Sequence, residues 1–214
     1  MKLIGMLDSP YVRRVAICLD LLGVPFEHEA VSVFSNFERF RAINPVVKAP
    51  TLICDDGGVL MESALILQYI EGSRDTPSPL WNAEPQARLL QFRRVSFATA
   101  ACDKGVQLAY ETQLRPPTAQ HEPWKQRVRG QMKAAFAALE SLTPASGPTL
   151  VEEHLDHPLL WSAVAWQCIR ALIPAELPAT DHPRLDQLSQ QCEALPLFRR
   201  YPPDGPGVPG LGSN

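Results

Sequence analysis

Residues 2–33 read KLIGMLDSPYVRRVAICLDLLGVPFEHEAVSV, and this stretch decides the fold. Residues 2–7 are an apolar run that suits a buried strand, stopped by Asp8, Ser9 and Pro10. From Tyr11 the spacing turns helical. Val12, Val15, Ala16, Leu19 and Leu22 recur at steps of three and four, and Gly23 ends the series. Pro10 fits a first helical turn, and Ser9 fits the cap before it. Residues 26–33 alternate apolar and polar at first, as a half-buried strand does. Strand, helix and strand in this order form a crossover, which sets the two strands parallel.

Outward from this unit, a helical segment over 37–43 ends at Asn44-Pro45, and Ala49-Pro50 opens an extended run to Cys54. Asp55-Asp56-Gly57-Gly58 is a hairpin turn, and Val59 to Met61 returns. A short helix is expected from Glu62 to Ile70. The order β-α-β-α-β-β-α describes a mixed sheet with helices packed on it, the layout of a thioredoxin-like domain over 1–72. Residues 73–85 are rich in proline and turn formers and read as a linker. Beyond them only helical spacing appears, giving an all-helical bundle domain over 86–201. Leu89, Phe92, Ser96, Thr99, Cys102, Val106 and Tyr110 form its first stripe. Trp124 to Leu142, Leu160 to Leu172 and Pro183 to Leu195 carry three more. Residues 202–214 form a Pro/Gly-rich tail with nothing to bury.

Of 214 residues, 45% are apolar and 20% charged, enough for a packed core without staples. A net charge of −3 and the lack of a dense Lys/Arg run speak against a nucleic-acid partner. The arginine pairs at 13–14, 93–94 and 199–200 read as solvated helix faces. No stretch approaches the roughly 20 apolar residues of a membrane span, and no signal peptide is expected. Cys18, Cys54, Cys102, Cys168 and Cys192 are scattered and form no CxxC, so they read as buried, reduced thiols of a cytoplasmic protein. Glu152, Glu153, His154, Asp156 and His157 cluster, but no complementary Cys or His motif supports a metal there, and none is expected. His28, His121 and His182 have no evident partners.

Three features of the first domain carry chemistry. Ser9, before Pro10 and Tyr11, places a hydroxyl and open backbone N–H groups at a helix N-terminus, where anions are favoured. Helix capping alone also explains it. Ala49-Pro50 suits a cis peptide that turns the Ala49 backbone groups toward a peptide-like ligand, or a simple strand start. Glu62 and Ser63 suit a clamp for a zwitterion, with carboxylate to ammonium and hydroxyl to carboxylate, or again a cap.

In this order and on this layout the three features resemble the glutathione transferase superfamily. SPYVRRVAICLDLLGVPFE at 9–27 and FRAINPVVKAPTLICDDGGVLMESALILQYIE at 40–71 carry the resemblance, with ACDKGVQLAYETQLRPP at 101–117 more loosely. It implies that Ser9 activates the glutathione thiol, as in serine-type bacterial relatives. It also implies that Ala49, before the cis-proline Pro50, pairs with glutathione, that Glu62 and Ser63 hold its γ-glutamyl end, and that Lys48 contacts it. Tyr11, Phe34, Phe37, Cys102, Val106 and Tyr110 are candidates for the second-substrate wall. Val47 stands where the family often has glycine, and Arg39 and Arg41 are possible holders of the glycyl carboxylate. Asp156 fits the family's cap in the helical half, with Leu155 and Leu160 as its staple and Leu159 replacing an acidic residue. The resemblance implies a cytoplasmic homodimer active in detoxification. Glutathione would be its co-substrate, a small hydrophobic electrophile its second substrate, and it would hold no tightly bound cofactor. A ligand carrier or a regulatory protein-interaction module on the same fold is the alternative.

Overall fold

The computed structural model describes residues 1–144 and 150–209. The chain forms two compact units. Met1–Leu80 joins Pro196–Gly207 in the first, while Trp81–Leu195 makes up most of the second, which the chain rejoins at Val208.

The first unit contains β1 (Lys2–Ile4), α1 (Pro10–Leu21), β2 (Glu27–Glu29), α2 (Phe37–Ile43), β3 (Thr51–Ile53), β4 (Val59–Met61) and α3 (Ser63–Gly72). The sheet order is β2-β1-β3-β4. β1 pairs β2 in parallel, with Leu3 beside His28, and pairs β3 antiparallel, with Leu3 beside Leu52. β3 and β4 are antiparallel around the Asp55–Gly58 turn, closed by Cys54 N–H to the Gly58 carbonyl at 2.8 Å. This is the expected thioredoxin-like sheet. β1 is shorter than the apolar run 2–7 that foretold it, because Gly5, at φ 138°, turns the chain out of the strand. Gly5 still donates to the Glu29 carbonyl at 3.1 Å, and its own carbonyl meets His28 Nε2 at 2.8 Å, so His28 has a partner after all.

α1 packs on β1, α3 and a short last helix, α8 (Pro196–Arg199). Covered this widely, it buries every residue from Val12 to Leu19. That overturns the solvated reading of one arginine pair: Arg13 is 1% exposed and Arg14 2%. Arg13 Nε donates to the Tyr201 carbonyl at 2.7 Å, and its guanidinium lies 5.4 Å from the Phe198 ring centroid. Arg199 and Arg200 are exposed as expected.

The second unit holds α4 (Pro85–Gln113), α5 (Glu122–Leu142), α6 (His157–Leu172) and α7 (Pro183–Ala194). Its core gathers Met132, Phe136, Trp161 and Trp166, with Phe136 and Trp166 edge-on at 5.4 Å and His182 edge-on to Trp166 at 5.2 Å. Asp156 caps α6 through Leu159 N–H at 2.9 Å, and Leu155 and Leu160 are buried, as the half-box implies. The stripe expected on α4 is rotated. Ala98, Ala101, Cys102, Gly105, Leu108 and Ala109 are buried, whereas Leu89, Phe92 and Tyr110 are exposed. Small residues let α4 approach α6 closely, so the buried face follows side-chain size rather than the largest apolar groups.

Among the described residues no helix is long and apolar enough to cross a membrane. None of their His, Cys, Asp and Glu side chains gather in threes to hold a metal. All five cysteines are buried, and among the described residues no disulfide forms.

Candidate functional site

Pro10 at the first helical position fixes the start of α1 and leaves Ser9 as its cap, with φ −73° and ψ 119°. Val12 N–H donates to Ser9 Oγ at 3.5 Å. A serine hydroxyl has one proton and two lone pairs. The cap uses a lone pair, so Ser9 can stabilise the helix and still donate its proton to an anion. The two readings of this serine are therefore compatible. Cys18, on the same helix, is no rival nucleophile: burial pushes its thiol up to about 12, against a downward pull from Arg14. Asp8, just before Ser9, has its carboxyl pushed up by burial, while the N–H groups of Gly207, Ser9 and Asp8 itself pull it back.

The 44–51 segment is fastened by side chains that the sequence did not single out. Asn44 is buried; its Nδ2 donates to Thr51 Oγ1 at 2.9 Å, and its Oδ1 accepts from Val46 N–H at 3.0 Å. Thr51 Oγ1 in turn donates to the Lys48 carbonyl at 2.8 Å. Between these anchors the Ala49–Pro50 bond is cis. Val47 lies at φ 53°, in the left-handed region that glycine favours. Its side chain packs on the Ile4, Val31 and Phe40 cluster. That packing explains how valine is held where the resembling family often has glycine.

Glu62 opens α3 at φ 72° and ψ 111°, a conformation unusual for a glutamate, and its side chain makes no cap hydrogen bond. Helix capping therefore does not account for it. The carboxylate instead pairs with Lys48. Ser63 is buried, and its Oγ accepts from Arg14 Nη2. This again spends a lone pair and leaves the hydroxyl proton to donate.

The structure thus brings Lys48 to Glu62, and α1 carries both Ser9 and the Arg14 that grips Ser63. Arg14 is the residue sequence reasoning missed. An arginine inside an apolar series, Val12, Val15 and Ala16, was the available signal. Arg39 and Arg41 are exposed and paired with Glu29 and Glu38, each at 2.5 Å. Of the wall candidates, Tyr11 and Phe34 are partly exposed and Phe37 is exposed on the first unit. On the second unit's α4, Val106 is partly exposed, Tyr110 is exposed and Cys102 is fully buried.

Residues 3–78 match the family model described as glutathione S-transferase, N-terminal domain. The chain is 26% identical over 203 residues to an uncharacterised GST-like protein, YibF, of Escherichia coli K12, covering 95% of this chain and 98% of that one. Among solved structures, it superposes on a glutathione S-transferase of Methylobacterium radiotolerans in complex with glutathione sulfonate, with TM-score 0.84 and 26% identity. That likeness covers 97% of this chain and 96% of the other. A glutathione transferase family member from Pseudomonas fluorescens Pf-5, with bound glutathione, gives TM-score 0.78 at 25% identity, over 95% and 99% of the two chains.

Proposed function

We propose that this chain, which belongs to the glutathione transferase superfamily, is a serine-type enzyme that ionises glutathione with Ser9 and adds the thiolate to small hydrophobic electrophiles. The reading rests above all on Ser9, whose hydroxyl proton is left over by its cap at the N-terminus of α1. Glutathione lies along the extended segment before β3. There, among the described residues, neither the N–H nor the C=O of Ala49 has a hydrogen-bond partner. The γ-glutamyl ammonium takes the place of Lys48 at Glu62, and its carboxylate accepts from Ser63. Ser9 donates to the sulfur and favours its ionised form. The thiolate attacks an electrophilic carbon, or the oxygen of a peroxide, against an apolar wall drawn from Tyr11, Phe34 and Phe37 on the first unit. Such chemistry suits detoxification in the cytoplasm, where reduced glutathione and buried thiols persist.

Titrating glutathione into the protein while following thiolate absorbance against pH tests this. A bound thiol that ionises about one to two units below its ordinary ~8.5 is expected. Binding without ionisation would make the chain a ligand carrier. No binding at millimolar glutathione would sink the reading.

Homodimerisation belongs to the same proposal. β4 exposes Val59 and Met61, and α3 exposes Leu65 and Tyr69, two apolar rows that a second copy would cover. Sedimentation should report twice the 23.7 kDa of the chain; a single-chain mass at micromolar concentration would remove the dimer.

A further inference from the structure

Residues 198–207 return to α1 and the turn before it. Beyond Phe198 and Tyr201, which engage Arg13, Arg200 Nε pairs with Asp20 Oδ2 at 2.8 Å. The Tyr201 ring stacks on Phe26 at 6.0 Å. Gly207 N–H then donates to Asp8 Oδ2 at 2.8 Å. Asp8 immediately precedes Ser9, whose own N–H donates to the Met6 carbonyl at 3.2 Å. The Asp8 side chain therefore ties this segment to the residue next to Ser9. The fit is close: a Cβ on Gly205 would fall 2.1 Å from Asp8 Oδ2. Gly207, at φ 67°, presents its N–H from a conformation that other residues resist.

We propose that the segment 198–207 is a strap that holds Ser9 in position, and that Asp8 is the positioning residue through which it acts. The proposal rests on the glutathione reading above. A tail with nothing to bury is thereby replaced by one with a task. Released from Gly207, Asp8 would be free to move, and the Ser9 peptide joined to it would loosen as well. The cap bond from Val12 and the direction of the hydroxyl would loosen with it.

The test uses the full chain with Gly205→Ala, which drives a methyl into the Asp8 carboxylate, and with Asp8→Ala and Asp8→Asn. Gly130→Ala, whose new Cβ meets nothing within 4 Å, is the control. Amide exchange at Val12 and Arg13 is read without glutathione, and the pKa and KM of glutathione are read with it. Gly205→Ala and Asp8→Ala should speed exchange at both amides. They should also raise the bound thiol's pKa by about half a unit to one unit, part of what the hydroxyl supplies, with KM changed less than about twofold. Asp8→Asn should lie near wild type, because its carbonyl oxygen still accepts from Gly207. Wild-type exchange in Asp8→Ala overturns the proposal. So does faster exchange with an unmoved thiol pKa, which would make the strap merely structural. If the wild-type protein itself fails to lower the thiol's pKa, the glutathione reading falls, and exchange alone decides whether the strap holds Ser9. Should Gly205→Ala not fold, the two Asp8 variants carry the test.

Discussion

Replacing Ser9 with alanine is expected to raise the pKa of bound glutathione by about one to two units and to lower turnover at neutral pH about 10- to 100-fold. A hydrogen bond to a charged acceptor contributes about 1.5–3 kcal/mol, and one pKa unit is about 1.4 kcal/mol. The sign follows directly. The hydroxyl stabilises only the thiolate, so without it more base is needed to ionise the sulfur. Activity of Ser9→Ala should therefore recover as pH rises, while wild type is already on its plateau. The fold should persist. The cap bond from Val12 is long at 3.5 Å, so its loss costs about 0.5–1 kcal/mol, the low end for a cap. Ser9→Thr should keep both roles, since threonine also caps and donates. The measurement is the pH dependence of kcat/KM beside the thiolate titration. An unchanged profile in Ser9→Ala would remove Ser9 from catalysis and leave it a helix cap.

Ser9 was legible because Pro10 marks the first helical turn, and proline at that position has few other uses. Ala49-Pro50 was legible as a candidate cis peptide opening a strand, and the bond is cis. Glu62 was legible as a charge before a helix, but not as a residue at φ 72°, because nothing in a glutamate announces a left-handed backbone. The α1 arginines were misread for a different reason. Periodicity assumes one covered face and one wet face, and α1 is covered by β1 and α3 from its own neighbourhood and by α8 from the chain's far end. A local pattern cannot report a cover that arrives about 180 residues later, at Phe198 and Tyr201. The same blindness hid the strap, since its glycines and prolines resemble those of a tail that packs on nothing. On α4 the error ran the other way. The large apolar residues were assumed to face inward, whereas the close approach of α6 selected alanine and glycine.

The largest effect on both stability and binding is expected at Arg14. Arg14→Ala should destabilise the protein by about 3 kcal/mol, as losing a buried hydrogen bond from a charged group together with its packing does. That corresponds to a melting temperature lower by roughly 6–12 °C for a chain of this size. It should also weaken glutathione binding about tenfold. The guanidinium, 2% exposed, donates to the Ser63 oxygen, and in the proposed glutathione complex this would leave the hydroxyl proton for the γ-glutamyl carboxylate. Without that donor the hydroxyl is free to rotate toward a backbone carbonyl of its own neighbourhood. Arg14→Lys should rescue little, because an ammonium lacks the planar fork that reaches Ser63 while filling the same buried space. Stability and binding separate in a double-mutant cycle with Ser63→Ala. If Arg14 acts on glutathione through Ser63, the two substitutions together should weaken binding no more than Ser63→Ala alone, while their stability losses remain unequal. Binding losses that simply add would show that Arg14 and Ser63 meet the ligand independently. A melting temperature for Arg14→Ala within about 2 °C of wild type would show that the arginine bears no structural load at all.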